Sequence, residues 1–150
     1  MRSQSADLLN DLTSSIIGFA IRIHRHLGPG LLEGAYAACL RHELSVAGLP
    51  FECQKAVPLV YDGVTIDCAY RADFIVDRAL VIEVKALDAL VPIHMRQLHT
   101  YACLAGVPVG LLLNFGAPTM RQGVRRVVNG FPSGRGAEGA EIAGMQRRDR

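Results

Sequence analysis

Asp73, Glu83 and Lys85 are the residues of this 150-residue chain whose types and spacing suit joint chemistry. Apolar and β-branched residues flank them, and the polar pair Asp77-Arg78 lies between the two acids. This pattern predicts two antiparallel strands joined by a turn. A hairpin that turns near Arg78 places Asp73 opposite Glu83, with Cβ atoms roughly 4.5–5.5 Å apart. Because side chains alternate along a strand, Glu83 and Lys85 share one face.

Two carboxylates this close repel each other, and partial burial raises the cost because it disfavours the charged forms. A bound cation would remove the repulsion. Mg²⁺ commonly uses one or two carboxylates together with water and substrate phosphates. The same residues also fit a surface hairpin in which Lys85 neutralises one acid, so their spacing alone does not decide. The apolar Ile82 and Val84 favour a strand that is packed in the core.

The length and composition predict one globular domain at residues 1–131. At residues 132–150 Gly, Ser, Ala, Glu and Arg replace the apolar pattern, which predicts a flexible tail. The net charge of +2 permits a nucleic-acid partner without arguing for one. With no tryptophan and 6% aromatic residues, a base-stacking platform is not expected.

The sequence also predicts the cellular compartment of the protein. No apolar run approaches the ~20 residues that span a bilayer, and the N-terminus lacks the apolar core of a signal peptide. None of the four cysteines belongs to a C-x-x-C pair, so zinc-site spacing is missing. Their apolar neighbours favour buried free thiols in a reducing environment. We therefore expect a cytoplasmic protein with no membrane partner.

Apolar residues at helical spacing predict a first helix over residues 5–27, with Ser5 or Asp7 as its N-cap. His24 and His26 fall near the end of this helix. In that position they suit the negative end of the helix dipole, or a phosphate contact, better than a metal ion.

A second helix is predicted over residues 31–47, after the helix-breaking Gly28-Pro29-Gly30. Glu33 lies in its first turn, and Tyr36 projects from the same face three residues later. Glu33 is open to two interpretations. An acid in a first turn is stabilised by the helix dipole, and the same acid is also placed to reach a site beside the helix.

Four further segments have the alternation or the unbroken apolar run of strands. They are residues 51–61 with an interruption at Pro58, 64–70 continuing toward Asp73, 107–115 and 124–128. Asp62-Gly63 is a strong hairpin-turn signal. A helix predicted over 92–105 begins at Pro92 and presents Gln97 and Tyr101 together, because they are four residues apart. A surface Gln beside a Tyr at the edge of the core is the alternative interpretation.

The motifs together resemble a known family. Gly30-Leu31-Leu32-Glu33-Gly34-Ala35-Tyr36 fits the G-x-x-E-x-x-Y signature of the GxxExxY proteins, which are placed in the PD-(D/E)XK nuclease superfamily. Asp73 followed by Glu83-Val84-Lys85 resembles the metal-binding acid and E-x-K of that superfamily. Gln97-Leu98-His99-Thr100-Tyr101 resembles the Q-x-x-x-Y motif of its RecB-like branch. The resemblance covers about residues 8–129 and includes a typical late strand at Leu112-Leu113-Asn114-Phe115-Gly116.

The resemblance implies an α/β fold with a restriction-endonuclease-like core, in which a mixed central sheet is flanked by helices. It implies Mg²⁺, with Mn²⁺ as a substitute, held by Asp73, Glu83, the backbone carbonyl of Val84 and Glu33. The implied reaction is the hydrolysis of phosphodiester bonds in DNA or RNA. Lys85 would orient the attacking water or stabilise the transition state.

Further roles follow from the same resemblance. Gln97 would position the water, the lysine or a phosphate, and Tyr101 and Tyr36 would bind or support the substrate. Arg71 is a candidate for another reason: it shares the face of Asp73, which fits a phosphate contact and a salt bridge equally well. The implied partner is nucleic acid, with DNA ahead of RNA, and a homodimer or a protein partner would help so small a domain grip a duplex. Two alternatives stay open: a non-catalytic nucleic-acid- or protein-binding module that keeps the nuclease fold, and a hydrolase of small phosphate esters.

Overall fold

The computed structural model describes residues 2–130, in which helices pack on a mixed sheet. The elements are α1 Arg2–Leu27, α2 Glu33–Val46, β1 Phe51–Tyr61, β2 Val64–Val76, β3 Leu80–Lys85, α3 Pro92–Ala105, β4 Val109–Asn114, α4 Met120–Gly123 and β5 Val124–Val128. The tail expected at residues 132–150 lies outside the described residues.

The sheet has five strands in the order β1-β2-β3-β4-β5. All neighbours are antiparallel except β3 and β4, which run parallel and pair from Leu80–Val109 to Lys85–Asn114. A parallel pair needs a crossover connection, and α3 supplies it between the two strands. The predicted α/β class, with a mixed central sheet flanked by helices, is confirmed.

The central strand β3 divides its side chains between two layers. Leu80, Ile82 and Val84 are fully buried in the larger core, which they form with α1 and α2. Val81 faces the opposite side and packs in a second cluster with Ala102 of α3. Because alternate residues share a face, Glu83 points to the same side as Val81. The strand therefore directs its buried acid away from the larger core.

Some helix bounds differ from the sequence predictions for local reasons. The helix α1 already contains Ser5 and Asp7, so neither residue is its N-cap. The helix α2 begins at Glu33 rather than at 31, because Leu32 keeps an extended backbone with φ −71° and ψ 151°. The one-turn helix α4, which no sequence pattern indicated, lies between β4 and β5.

The β1–β2 hairpin turns at Asp62-Gly63 as predicted, with positive φ values of 50° and 74°. Its register then shifts. Leu59 pairs with Ile66, whereas Val57 pairs with Tyr70, so β1 advances two residues while β2 advances four. The two extra residues of β2 displace every later pair of the hairpin, including the pairs beside Asp73.

Cys39, Cys53 and Cys103 are free thiols, as predicted, but each is only partly buried rather than buried. No helix within residues 2–130 combines the length and the apolar character that crossing a bilayer requires. The described polar groups are also well paired: no buried side-chain nitrogen or oxygen among them lacks a hydrogen-bond partner. The buried acid Glu83, which is described next, is therefore hydrogen-bonded and not an isolated charge.

Candidate functional site

Asp73 lies where the β2–β3 ladder stops. The last antiparallel pair before it is Phe74–Ile82. One residue further, the Asp73 Oδ2 accepts a hydrogen bond from the Val84 backbone N–H at 2.9 Å. Its Oδ1 accepts one from the Gln54 side-chain amide at 3.2 Å. The strands on either side therefore fix the orientation of both carboxylate oxygens.

Glu83 faces Asp73 and is only 6% exposed. Its Oε1 accepts a hydrogen bond from the Tyr70 hydroxyl and a long one, 3.5 Å, from the Asp73 backbone N–H. Burial and then the Asp73 charge raise the pKa of Glu83 to about 7, although the Tyr70 hydrogen bond and the Lys85 charge lower it. Near neutral pH this carboxyl is therefore poised between its protonated and ionised forms.

Glu33 approaches the same place from the first turn of α2. Burial raises the pKa of Glu33, the Lys85 charge lowers it and the Asp73 charge raises it. These effects put the carboxylate within electrostatic range of both residues. The structure thus brings Glu33, Asp73, Glu83 and Lys85 together, although the helix dipole would favour an acid at this position in any case.

Tyr36 holds the loop that delivers Glu33. Its ring is fully buried and stacks on Phe115, with centroids 4.6 Å apart and planes 7° from parallel. Its hydroxyl donates to the Gly28 carbonyl at 2.6 Å and accepts from the Leu31 N–H at 3.1 Å. A buried ring whose hydroxyl is engaged on both sides has no surface left for substrate. We therefore correct the predicted substrate contact of Tyr36 to support of the loop.

Of the remaining predicted residues, Tyr101 and Arg71 connect to the acid pair through a neighbouring residue, and Gln97 makes no hydrogen bond to it. Tyr101 of α3 stacks on Tyr70, with ring centroids 3.4 Å apart and planes 8° from parallel. Gln97, one helical turn earlier, is half-buried and makes no side-chain hydrogen bond within residues 2–130. Arg71 is exposed and donates a long hydrogen bond, 3.4 Å, to the Gln54 carbonyl. It forms no salt bridge with another described residue.

The donor chemistry of the site fits a hard divalent cation. The Asp73 charge raises the pKa of Glu83, and a cation shared by the two carboxylates would remove that repulsion. In the part of the chain that the structure describes, no three His, Cys, Asp or Glu side chains form a metal-holding group by themselves. Two carboxylates completed by water and phosphate are what Mg²⁺ commonly uses. A closed structural zinc site needs four protein ligands, and the acid pair does not supply them, so the residues fit Mg²⁺ better than structural zinc.

Tyr70 and Gln54 belong to the site, and the sequence patterns missed both. Regular alternation places residues 70 and 73 on opposite faces of β2, so the pattern gave no reason to link Tyr70 with the acids. Gln54 has a positive φ of 51° within β1, and its meeting with Asp73 depends on the shifted register of the hairpin. The signals in the sequence were that Tyr70 lies three residues before Asp73 and that Pro58 interrupts β1 where the register shifts.

The fold and the site define a class of protein. A mixed α/β sheet whose hairpin brings two acids and a lysine together, beside the N-terminus of a helix, is a nuclease-like domain. A family model for the PD-(D/E)XK nuclease superfamily matches residues 10–127. The chain belongs to this superfamily, as the motifs predicted, and its α/β architecture is the expected restriction-endonuclease-like core. No curated protein and no solved structure matches the chain.

Proposed function

We propose that this protein is a divalent-metal-dependent nuclease that hydrolyses phosphodiester bonds in DNA, with RNA as the second candidate substrate. The observation that carries the proposal is the meeting of the Asp73 and Glu83 carboxylates at the end of the β2–β3 ladder. Lys85 lies within electrostatic range of Glu83. Membership of the nuclease superfamily supports the same chemistry.

Asp73 and Glu83 would hold Mg²⁺, or Mn²⁺ in its place, with the Val84 carbonyl as a further ligand. Glu33 would reach the ion through a bound water or would act at a second site, since the described residues form no group of three metal-binding side chains. When bound, such an ion lowers the pKa of a coordinated water and neutralises charge on phosphoryl oxygens. The contribution of Asp73 is a fixed direction, since the Val84 N–H holds one of its oxygens. A ligand oriented before binding loses less entropy when the ion and the substrate arrive.

Lys85 has two roles in this proposal. Its charge lowers the pKa of both Glu33 and Glu83, which favours the ionised forms that a cation needs. Its ammonium would also stabilise negative charge that develops on the phosphate, or orient the attacking water. The uncommitted amide of Gln97 would donate to that water or to a phosphate oxygen. Tyr101 would act indirectly, as a positioning residue, because its ring stacks on Tyr70 and so holds the hydroxyl that contacts Glu83.

The test is cleavage of supercoiled plasmid, single-stranded DNA and RNA in Mg²⁺, compared among three variants. Asp73→Asn and Glu83→Gln should each lose at least about 100-fold in rate, equivalent to about 2.7 kcal/mol of transition-state stabilisation. The matched control is Asp77→Asn, an exposed acid at the turn of the same hairpin, which should keep full activity. Metal-dependent cleavage that survives in purified Asp73→Asn protein would refute the assignment.

A second function, a nucleic-acid- or protein-binding module without catalysis, is favoured by two observations. The Tyr70 hydroxyl already donates to a Glu83 oxygen, and no ready-made group of three metal-binding side chains occurs among residues 2–130. Under this alternative, wild-type protein would bind DNA with a strong salt dependence and would cleave no substrate in either metal. A screen of nucleotides and small phosphate esters separates the third alternative, a hydrolase of small substrates.

We extend the proposal to the subgroup. The G-x-x-E-x-x-Y signature supports membership of the GxxExxY proteins, and the Q-x-x-x-Y signature supports a RecB-like site. The positions of Glu33 and Tyr36 agree with the first signature, since the acid reaches the site and the tyrosine holds its loop. A homodimer or a protein partner would supply the additional grip that a domain of this size needs on a duplex. Sedimentation with and without DNA tests that part.

A further inference from the structure

The last turns of α1 and the segment 118–121 enclose a groove of about 390 Å³. A second, shallower groove of about 410 Å³ continues along α1 and shares Arg25 with the first. Arg25 flanks the first groove on the α1 side and Arg121 on the other, with apolar side chains such as Met120 between them. The described lining of both grooves contains no acidic residue. The two grooves together are called the basic groove below.

Two of the three guanidinium groups that line the basic groove, those of Arg25 and Arg121, are not engaged. Arg25 and Arg121 are exposed, and neither makes an ion pair or a hydrogen bond with its side chain inside the described chain. Arg22 gives the contrast, because it pairs with Glu43 at 3.0 Å. A basic residue at the end of α1 also offsets the helix dipole, which explains Arg25 alone. It does not explain an arginine that faces the groove from the separate one-turn helix α4.

The basic groove lies beside the larger core, to which its Met120 belongs, at the end of the sheet where β3 stops. Glu83 points to the other face of the sheet, so a bound backbone would pass around this end to reach the acids. The His24 ring nitrogen Nε2 is 2.8 Å from the Ala117 carbonyl oxygen, which ties the end of α1 to the turn after β4. That turn begins at Phe115, whose N–H donates to the Lys85 carbonyl at 2.8 Å. The strands β3 and β4 are parallel, so both end here. A chain of direct contacts therefore connects the groove to the strand that carries the proposed catalytic lysine.

We propose that the basic groove binds the phosphate backbone of the nucleic-acid substrate, with Arg25 and Arg121 each contacting one phosphate. Guanidinium groups match phosphate oxygens in a bidentate manner, and neutralised phosphates release counterions that favour binding. This inference rests on the proposed nuclease function for its ligand class. It gives the small domain a substrate-holding surface outside the acid cluster, which its net charge of +2 did not suggest.

The experiment measures binding and leaves cleavage aside. A short labelled DNA duplex of mixed sequence is titrated with full-length protein in EDTA, and anisotropy is followed from about 50 to 200 mM salt. Arg25→Ala and Arg121→Ala should each reduce the slope of log affinity against log salt by about 0.9, and the double variant by about 1.8. Arg121→Lys should keep the slope, because it keeps the charge. Circular dichroism confirms that each variant is folded.

The matched control is Arg78→Ala, an exposed arginine at the β2–β3 turn, at the opposite end of β3 from Lys85. Its slope should equal that of the wild type. Equal slopes for all variants, or a wild type that does not bind the duplex at low salt, would overturn the inference. Binding of an acidic peptide with the same arginine dependence, but not of the duplex, would overturn it in favour of a protein partner.

The two proposals fail separately. If wild-type protein binds DNA through the arginines but cleaves nothing in Mg²⁺ or Mn²⁺, the basic groove is supported and the nuclease function fails. If cleavage depends on Asp73 while the arginine variants bind and cleave as the wild type does, the nuclease function stands and the inference is overturned.

Discussion

Glu83→Gln should make the metal-free protein more stable at alkaline pH. The wild-type carboxyl is buried and faces Asp73, so its ionisation is opposed by desolvation and by like charge. An amide of nearly the same shape carries no charge, and its oxygen can still accept the hydrogen bond from the Tyr70 hydroxyl. The substitution should therefore remove the electrostatic cost and leave the packing unchanged.

The magnitude follows from the pKa. A rise from 4.5 to about 7 corresponds to about 3 kcal/mol. Because the folded state holds the proton more tightly than the unfolded state, the free energy of unfolding falls as pH rises from about 4.5 to about 7. Glu83→Gln lacks this decline. The two proteins should be nearly equal near pH 4.5 and differ by up to about 3 kcal/mol above about pH 8.

The assay is urea unfolding in EDTA at a series of pH values. It is followed by far-ultraviolet circular dichroism, because the chain has no tryptophan. Glu52→Gln controls for the loss of one negative charge. Glu52 is an exposed acid on β1, and its ion pair with Lys55 at 2.9 Å is equally exposed, so the variant should follow the wild type within about 0.5 kcal/mol. A Glu83→Gln protein that is no more stable than the wild type at alkaline pH would refute the reasoning, since the burial and repulsion assigned to Glu83 would then carry no cost.

Three further outcomes are expected. Tyr36→Phe should lower the free energy of unfolding in urea by about 1–3 kcal/mol, because the Gly28 carbonyl and the Leu31 N–H both lose their hydrogen bond to the hydroxyl. Unchanged stability would contradict the role assigned to this hydroxyl. Tyr70→Phe should raise the pKa of Glu83 further, since this hydrogen bond lowers it, and a lower pKa in a carbon-13 NMR titration would contradict the assigned contact. Gly116→Ala should lower the melting temperature, because a Cβ would meet the backbone of the loop after β3. Gly34→Ala, with open space around it, is its control and should not.

The acid pair could be predicted because its determinants are local. A turn at residues 77–79 fixes the β2–β3 register, and the observed pairs Phe74–Ile82 and Val76–Leu80 follow from it. Alternation then gives the faces, so Ile82 and Glu83 point to opposite layers as expected. Glu33 could be predicted only as a candidate. Its approach to Asp73 depends on how α2 packs on the sheet, and the spacing of residues within one helix does not predict that packing.

The supporting contacts could not be predicted, because they depend on irregular backbone. Without the shift between Val57 and Leu59, the register set at the Asp62-Gly63 turn would bring a different residue of β1 beside Asp73. The shift falls at Pro58 of β1, which the sequence marks as an interruption. No glycine or proline of β2 shows that this strand takes up the two additional residues. The role of Tyr36 was equally hidden, since a helical pattern shows that a side chain is buried but not which loop its hydroxyl holds.

The irregular backbone of β1 also bears on association between molecules. β1 is the outermost strand of the sheet, and a long flat edge with free amides is a template for aggregation. Pro58 removes one donor from this edge, and the positive φ of Gln54 bends it. The distortions that bring an amide to Asp73 therefore also make β1 a poor surface for another strand. Pro58→Val should give β1 a more regular edge, and we expect the variant to be less soluble because another strand could pair with that edge.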